Sequence, residues 1–310
     1  MSAARARLAA LACACAALAS GCASPEPPKA LAPTQDLLEV VAVVRLHVDD
    51  DTYRFPTARD YTGKNVFRVS FERLESLETA HPEKLSSGYA TDVVWFTKAR
   101  ALERIGEYDL AMRHYARVTE LDSELADAAR AGRDLNARLL ALHALAPPAD
   151  ATPEAADAGY ARQRVELERL RGEVANTHYR FVVEEELERV DAADASTFAA
   201  HAALDPRYEA AALERAQALV QAHKRSKNHN RHLLALGDLY AAYSRRYAQK
   251  YPPPSLGFDP ATFDEYAHGA TRVYEVVAQQ DGAVEKLEGQ HKLEAFLGFT
   301  LQVHEERVPR

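Results

Sequence analysis

Residues 92–125 read DVVWFTKARALERIGEYDLAMRHYARVTELDSEL, and their spacing decides the fold. Trp95, Ala99 and Leu102 recur at helical intervals, and beyond Gly106 so do Tyr108, Ala111 and Tyr115. A glycine between two periodic runs permits a tight turn, so the stretch predicts two antiparallel helices. The small Ala99 and Ala111 let those helices approach closely, while Trp95, Leu102 and Tyr115 fill the space around them.

The order of these residues resembles the tetratricopeptide repeat: a tryptophan, a small residue four later, an aromatic after the turn, then alanine and an aromatic four apart. Lys98 stands where that family usually has leucine, and Ser123 where it has proline. Lys98 is expected to lay its stem along the apolar seam with its amine in water. A second, partial likeness spans about 230–282: Leu233, Leu236, Gly237 and Tyr240, then Ala270, Tyr274 and Val277, with the insertion YPPPSLGFDP (251–260) between them. Tyr208 and Ala211 mark a fainter third. One hairpin cannot bury both its faces, so the resemblance implies an all-α stack of antiparallel helical hairpins, an α-solenoid. It also implies a groove on the concave face of each first helix, which maps to Asp92, Phe96, Arg100, Glu103 and Arg104. The second repeat would add Arg231, Leu234 and Asp238. Such a mixed-charge groove suits a peptide or a partner helix.

Outward from the hairpin, the chain divides at proline-rich stretches. Leu37, Leu38, Val41, Val44 and Val48 predict a helix from Asp36, because strict strand alternation fails at Val40-Val41 and Val43-Val44. Asn65 is a plausible cap for a helix over Val66 to Ala80, whose stripe is Phe67, Phe71, Leu74 and Leu77. Between these helices DDDTYRFPTARDYTGKN (49–65) concentrates Tyr53, Arg54, Phe55, Arg59, Asp60 and Tyr61. It reads as a capping loop or an alternative binding segment. APPADATPEAA (146–156) reads as a linker between helical regions 36–145 and 157–310. Beyond it one long central helix is expected over about 157–191, with Leu167, Leu170, Val174 and Phe181 near heptad spacing. Further helices are expected at about 206–224, 229–250, 261–280 and 283–305.

The first residues read as a targeting segment. Arg5 and Arg7 precede an apolar run from Leu8 to Ala19, too short to span a bilayer comfortably. Ala19-Ser20-Gly21-Cys22 resembles a bacterial lipobox, which implies removal of residues 1–21 and acylation of Cys22. Ordinary cleavage after Ala19 is the alternative. Ala23 and Ser24, in place of an aspartate, imply the outer membrane with the chain facing the periplasm. Residues 22–35 then form a proline-rich tether of about 40 Å. Of the 3 cysteines, Cys13 and Cys15 lie within the segment, leaving Cys22 with no thiol to pair with. Net charge is −8, so several acyl chains rather than electrostatics would hold the chain at a bilayer.

Motifs for chemistry are sparse. There is no nucleophile elbow, zinc-protease helix, phosphate loop or dinucleotide fingerprint. His223, His229 and His232 in HKRSKNHNRH are read as part of a solvated basic loop, because Lys224, Arg225, Lys227 and Arg231 would repel a metal ion. Asp49-Asp50-Asp51 lacks the alternation and glycine of a calcium loop. With 46 acidic against 38 basic side chains, nucleic acid is an unsuitable partner. No catalytic residue, metal or cofactor is expected. The expectation is a lipid-anchored adaptor or scaffold for envelope proteins or peptides. Its alternative is an accessory factor for envelope assembly or secretion, pilotin-like or a cell-wall-enzyme scaffold. A glycan-processing enzyme using paired carboxylates is the remaining class.

Overall fold

The computed structural model describes residues 33–49, 65–86, 88 and 90–307, and every secondary-structure element there is helical. The targeting segment, Cys22, and Tyr53, Arg54, Phe55, Arg59, Asp60 and Tyr61 lie outside the described residues. The helices are α1 (Pro33–Asp49), α2 (Val66–Ala80), the short α3 (Pro82–Ser86), α4 (Thr91–Arg104), α5 (Tyr108–Thr119) and α6 (Ala126–His143). They continue with α7 (Pro153–Val174), α8 (Tyr179–Leu204), α9 (Glu209–Ala222), α10 (His229–Lys250), α11 (Pro260–Ala278) and α12 (Lys286–Arg307). None of the described helices is long and apolar enough to cross a membrane.

Local chemistry sets most boundaries. Asn65 Oδ1 accepts from the backbone of Phe67 at 2.9 Å and Arg68 at 3.3 Å, fixing the start of α2. α1 begins at Pro33, inside the expected tether, since a proline at the first position sacrifices no helical hydrogen bond. Its buried stripe is Leu37, Val40 and Val44, whereas Leu38 is 62% exposed. α7 likewise starts inside the expected linker: Thr152 caps Ala155 N at 3.3 Å and Pro153 opens the helix. Gly106 turns α4 into α5 at φ +81°, a conformation that L side chains rarely adopt.

The single helix expected over 157–191 is two helices. Thr177 Oγ1 donates to Val174 O at 2.8 Å and accepts from Tyr179 N at 3.2 Å, ending α7 and starting α8. The two then fold back on each other, so Phe181 does not continue the stripe of Leu167 and Leu170 along one helix.

Packing runs from neighbour to neighbour: α1 on α2, α2 on α4, α4 on α5 and α5 on α6, then pairwise from α7 through α12. The core is accordingly a succession of clusters. Ala99, Leu102, Ala111, Tyr115, Val118 and Ala129 join α4, α5 and α6. Leu233, Leu236, Phe263, Tyr274 and Phe296 join α10, α11 and α12. α6 and α7 touch only lightly, but side chains of α8 join both in one cluster. Tyr108, Leu135 and Leu139 share one cluster with Tyr160, Leu167, Val183 and Leu187. The stretch 146–156 therefore does not separate two independent cores.

Candidate functional site

The sequence EEELERVDAAD, residues 184–194, distributes carboxylates around α8. Each neighbouring element answers with cations or hydroxyls. Glu185 pairs with Arg104 of α4 at 3.2 Å and with Lys227 of the α9–α10 turn. Glu186, 2% exposed, accepts from the Tyr108 hydroxyl and lies 2.9 Å from His143 Nε2. Glu188 accepts from the Ser226 hydroxyl and lies 2.6 Å from His232 Nε2. Asp191 meets Arg164 at 2.5 Å and His223 at 2.9 Å, while Asp194 pairs with Arg164 and, at 3.2 Å, Arg215. Burying a carboxylate costs several kcal/mol unless it is paired, so these contacts set the register of α8 more than they add net stability. Burial alone would push the Asp191 carboxyl up, but His223 and Arg164 outweigh it and hold it below its ordinary value. Glu188 is lowered in the same way, with His232 and Ser226 outweighing its burial.

This arrangement corrects the reading of HKRSKNHNRH as a solvated loop. His223 and Ser226 are buried, and His223, Ser226, Lys227 and His232 dock on α8. Among the described residues no group of three or more His, Cys, Asp or Glu side chains is arranged to hold a metal ion.

On the face expected to form a groove on α4, Arg100 and Arg104 are taken up by the start of α8, while the contacts of Asp92, Phe96 and Glu103 lie within the first hairpin and α6. The Arg100 guanidinium lies 5.1 Å from the Phe96 ring and 5.3 Å from the Tyr179 ring, and donates to His178 Nε2. The Arg104 side chain, 4% exposed, reaches Glu185 and lies over the Phe67 ring. Glu103 is 1% exposed; Asn136 Nδ2 donates to it at 2.6 Å and the Tyr115 hydroxyl at 3.3 Å. Burial pushes its carboxyl up, against the charge of Arg100. Phe96 meets Tyr115 edge-on, and Asp92 accepts from the Ser123 hydroxyl at 2.5 Å. Helical spacing places Arg100, Glu103 and Arg104 near one another, but it carries no information on what packs against them.

Lys98 also departs from expectation: it is 1% exposed, and its amine is paired with Glu75 and Glu78 of α2 rather than immersed in water. Burial, with the charges of Lys98 and Arg117, lowers the nearby His114 imidazole to about 4. Burial, with Arg100 and Arg104, lowers His178 to about 3. Both rings stay neutral in the folded chain, whereas the unfolded chain protonates each near pH 6.5. Unfolding thus takes up at most about two protons here, and stability present above pH 6.5 is lost as pH falls toward 4 and 3. Glu103, raised on folding, acts in the opposite sense and subtracts from that slope. The urea midpoint is expected to be lower at pH 5 than at pH 7, with the difference reduced in His114→Asn/His178→Asn. An equal or higher wild-type midpoint at pH 5 would contradict this assignment.

In the second hairpin, Arg231, Leu234 and Asp238 do come together. With Glu285, Glu288 and Lys292 they line a recess of about 350 Å³ between α10 and the start of α12. Its charges are matched internally: Arg231 meets Glu285 at 3.3 Å, and Lys292 meets Asp238 at 2.6 Å and Glu288 at 3.1 Å. The Tyr274 hydroxyl donates to Asp238 at 2.7 Å.

A larger cleft, about 510 Å³, opens between α7, α8 and the α9–α10 turn. α7 contributes Arg164, Glu168 and Arg171, α8 contributes Arg180, Phe181, Glu184, Leu187 and Asp191, and the turn contributes Lys224 and Arg225. Glu168 is paired with Arg171 at 2.6 Å, and Asp191 with Arg164. Arg180, Lys224 and Arg225 are exposed and, among the described residues, have no carboxylate at salt-bridge distance. The sequence reading missed this cleft. Its signal was the pairing of an acidic run, 184–194, with a basic run, 223–232, whose unmatched charges are left at the surface.

No protein-family model matches this chain, and no curated protein shows significant similarity to it.

Proposed function

We propose that the chain is a lipid-anchored, periplasm-facing adaptor of the tetratricopeptide-repeat type, held at the outer membrane through Cys22, that binds envelope proteins or peptides. The observation that carries this reading is the open cleft between α7, α8 and the α9–α10 turn, where three cations have no carboxylate at salt-bridge distance among the described residues. Unmatched exposed charges contribute little to folding but steer and register a partner. The repeat type is supported by the helix crossings. Ala99 and Ala111 are fully buried where α4 meets α5, and Gly237 faces the Tyr274 ring where α10 meets α11. The anchor is supported by Ala19-Ser20-Gly21-Cys22 at the end of a short apolar run.

Two measurements test the proposal. Cys22→Ser is expected to move the protein from the membrane to the soluble fraction; a native chain beginning at Ser20 without lipid contradicts the anchor. Chemical cross-linking of the lipidated full chain in envelope membranes is expected to give discrete adducts with envelope proteins. Recovery of the chain without adducts contradicts the adaptor reading.

A further inference from the structure

We infer that the cleft between α7, α8 and the α9–α10 turn is a receptor site for an acidic peptide segment, whose carboxylates are taken by Arg180, Lys224 and Arg225. The inference deepens the adaptor reading, on which it rests for its biological partner, by naming the chemistry recognised.

The chain as a whole is acidic, with a net charge of −8, so most of its surface repels an acidic segment. Inside the cleft the balance reverses. The carboxylates of Glu168 and Asp191 are already paired with Arg171 and Arg164. Glu184 also lines the cleft and has an interaction of its own, and the five arginine and lysine side chains there outnumber the three carboxylates. A low-dielectric cleft within an oppositely charged surface focuses the field on that place.

The geometry favours a peptide over a compact phosphate. The three cations come from two separate elements, Arg180 from the first turn of α8 and Lys224 and Arg225 from the turn after α9. They therefore match carboxylates spaced along a chain better than charge concentrated on one group. Arg180 lies with its guanidinium 4.4 Å from the Phe181 ring, which leaves its planar fork free to take a carboxylate in two parallel hydrogen bonds. Phe181 and Leu187 supply apolar lining for an aliphatic side chain between the acids. A volume of about 510 Å³ holds a few residues of extended chain.

The test is fluorescence anisotropy of a fluorescein-labelled peptide of alternating Glu and Leu, titrated with the purified full chain in mild detergent at low salt. Saturable binding is expected, weakening as salt rises. The triple variant Arg180→Glu/Lys224→Glu/Arg225→Glu should bind at least about tenfold more weakly. Arg113→Glu/Arg130→Glu/Arg133→Glu, an equal charge change on exposed faces of α5 and α6, should bind within about twofold of wild type. The circular dichroism of both variants should match wild type.

Absence of binding overturns the inference, as does an equal loss in the two triple variants. Displacement by inorganic pyrophosphate at lower concentration than by unlabelled peptide also overturns it, since the cleft is then a phosphate site. Cross-linked adducts from a chain that ignores the peptide overturn the cleft assignment and leave the adaptor reading standing. Peptide binding by a chain that forms no adducts overturns the adaptor reading alone.

Discussion

Arg104→Glu is expected to lower the free energy of unfolding by about 3–5 kcal/mol. The guanidinium it replaces is 4% exposed and pairs with Glu185, itself mostly buried. The substitution removes the cation and sets a second carboxylate against the first, close to the buried Glu103. A surface ion pair would contribute at most about 1 kcal/mol, so the size of the loss separates an internal interface from a solvated groove. Urea denaturation of the full chain measures it. A change under about 1 kcal/mol would place Arg104 at an open surface, as its helical spacing alone suggested.

Gly132→Val and Gly237→Val are each expected to cost about 2–3 kcal/mol through overpacking. A Cβ on Gly132 would stand 2.6 Å from Tyr115 Cζ, and one on Gly237 would stand 2.6 Å from Tyr274 Cε1. Neither ring has anywhere to go. Tyr115 is 0% exposed, wedged against Phe96 and holding Glu103 through its hydroxyl. Tyr274 is 3% exposed and tied to Asp238. Gly172, in the exposed face of α7, meets nothing within 4 Å, so Gly172→Ala should stabilise by about 0.5–1 kcal/mol through helix propensity. Loss at Gly132 and Gly237 with gain at Gly172 identifies packing, not glycine itself, as the cause.

Local features of this fold were readable in the sequence because their causes are local. Asn65 caps two backbone amides within three residues of itself, and Gly106 turns the chain at a positive φ between two periodic runs. Both act through neighbours that the sequence displays. The break between α7 and α8 was hidden because Ala175 to His178 contains neither glycine nor proline. Thr177 makes the turn by bonding to the backbone on either side, and that capacity is spent differently in other contexts.

The remaining differences share one cause. Lys98, Arg104 and Lys227 all looked like solvated charges, and each is paired with a carboxylate at least twenty residues away in the chain. Periodicity identifies a face of a helix but not the element that covers it. The same blindness concealed the cleft at Arg180, Lys224 and Arg225, which exists only because α8 has used most of the opposing charge elsewhere.

α8 takes up Arg100 and Arg104 of the first hairpin, the cations that an open groove would offer a ligand. A double-mutant cycle at Arg104 and Glu185 tests this most directly, since it measures the α4–α8 contact itself. Arg104→Ala, Glu185→Ala and the double variant are compared with wild type by urea unfolding of the full chain. A coupling free energy of about 1–3 kcal/mol between the two sites is expected. Additivity within about 0.5 kcal/mol would mean that the two side chains do not meet, and that the groove of the first hairpin is open.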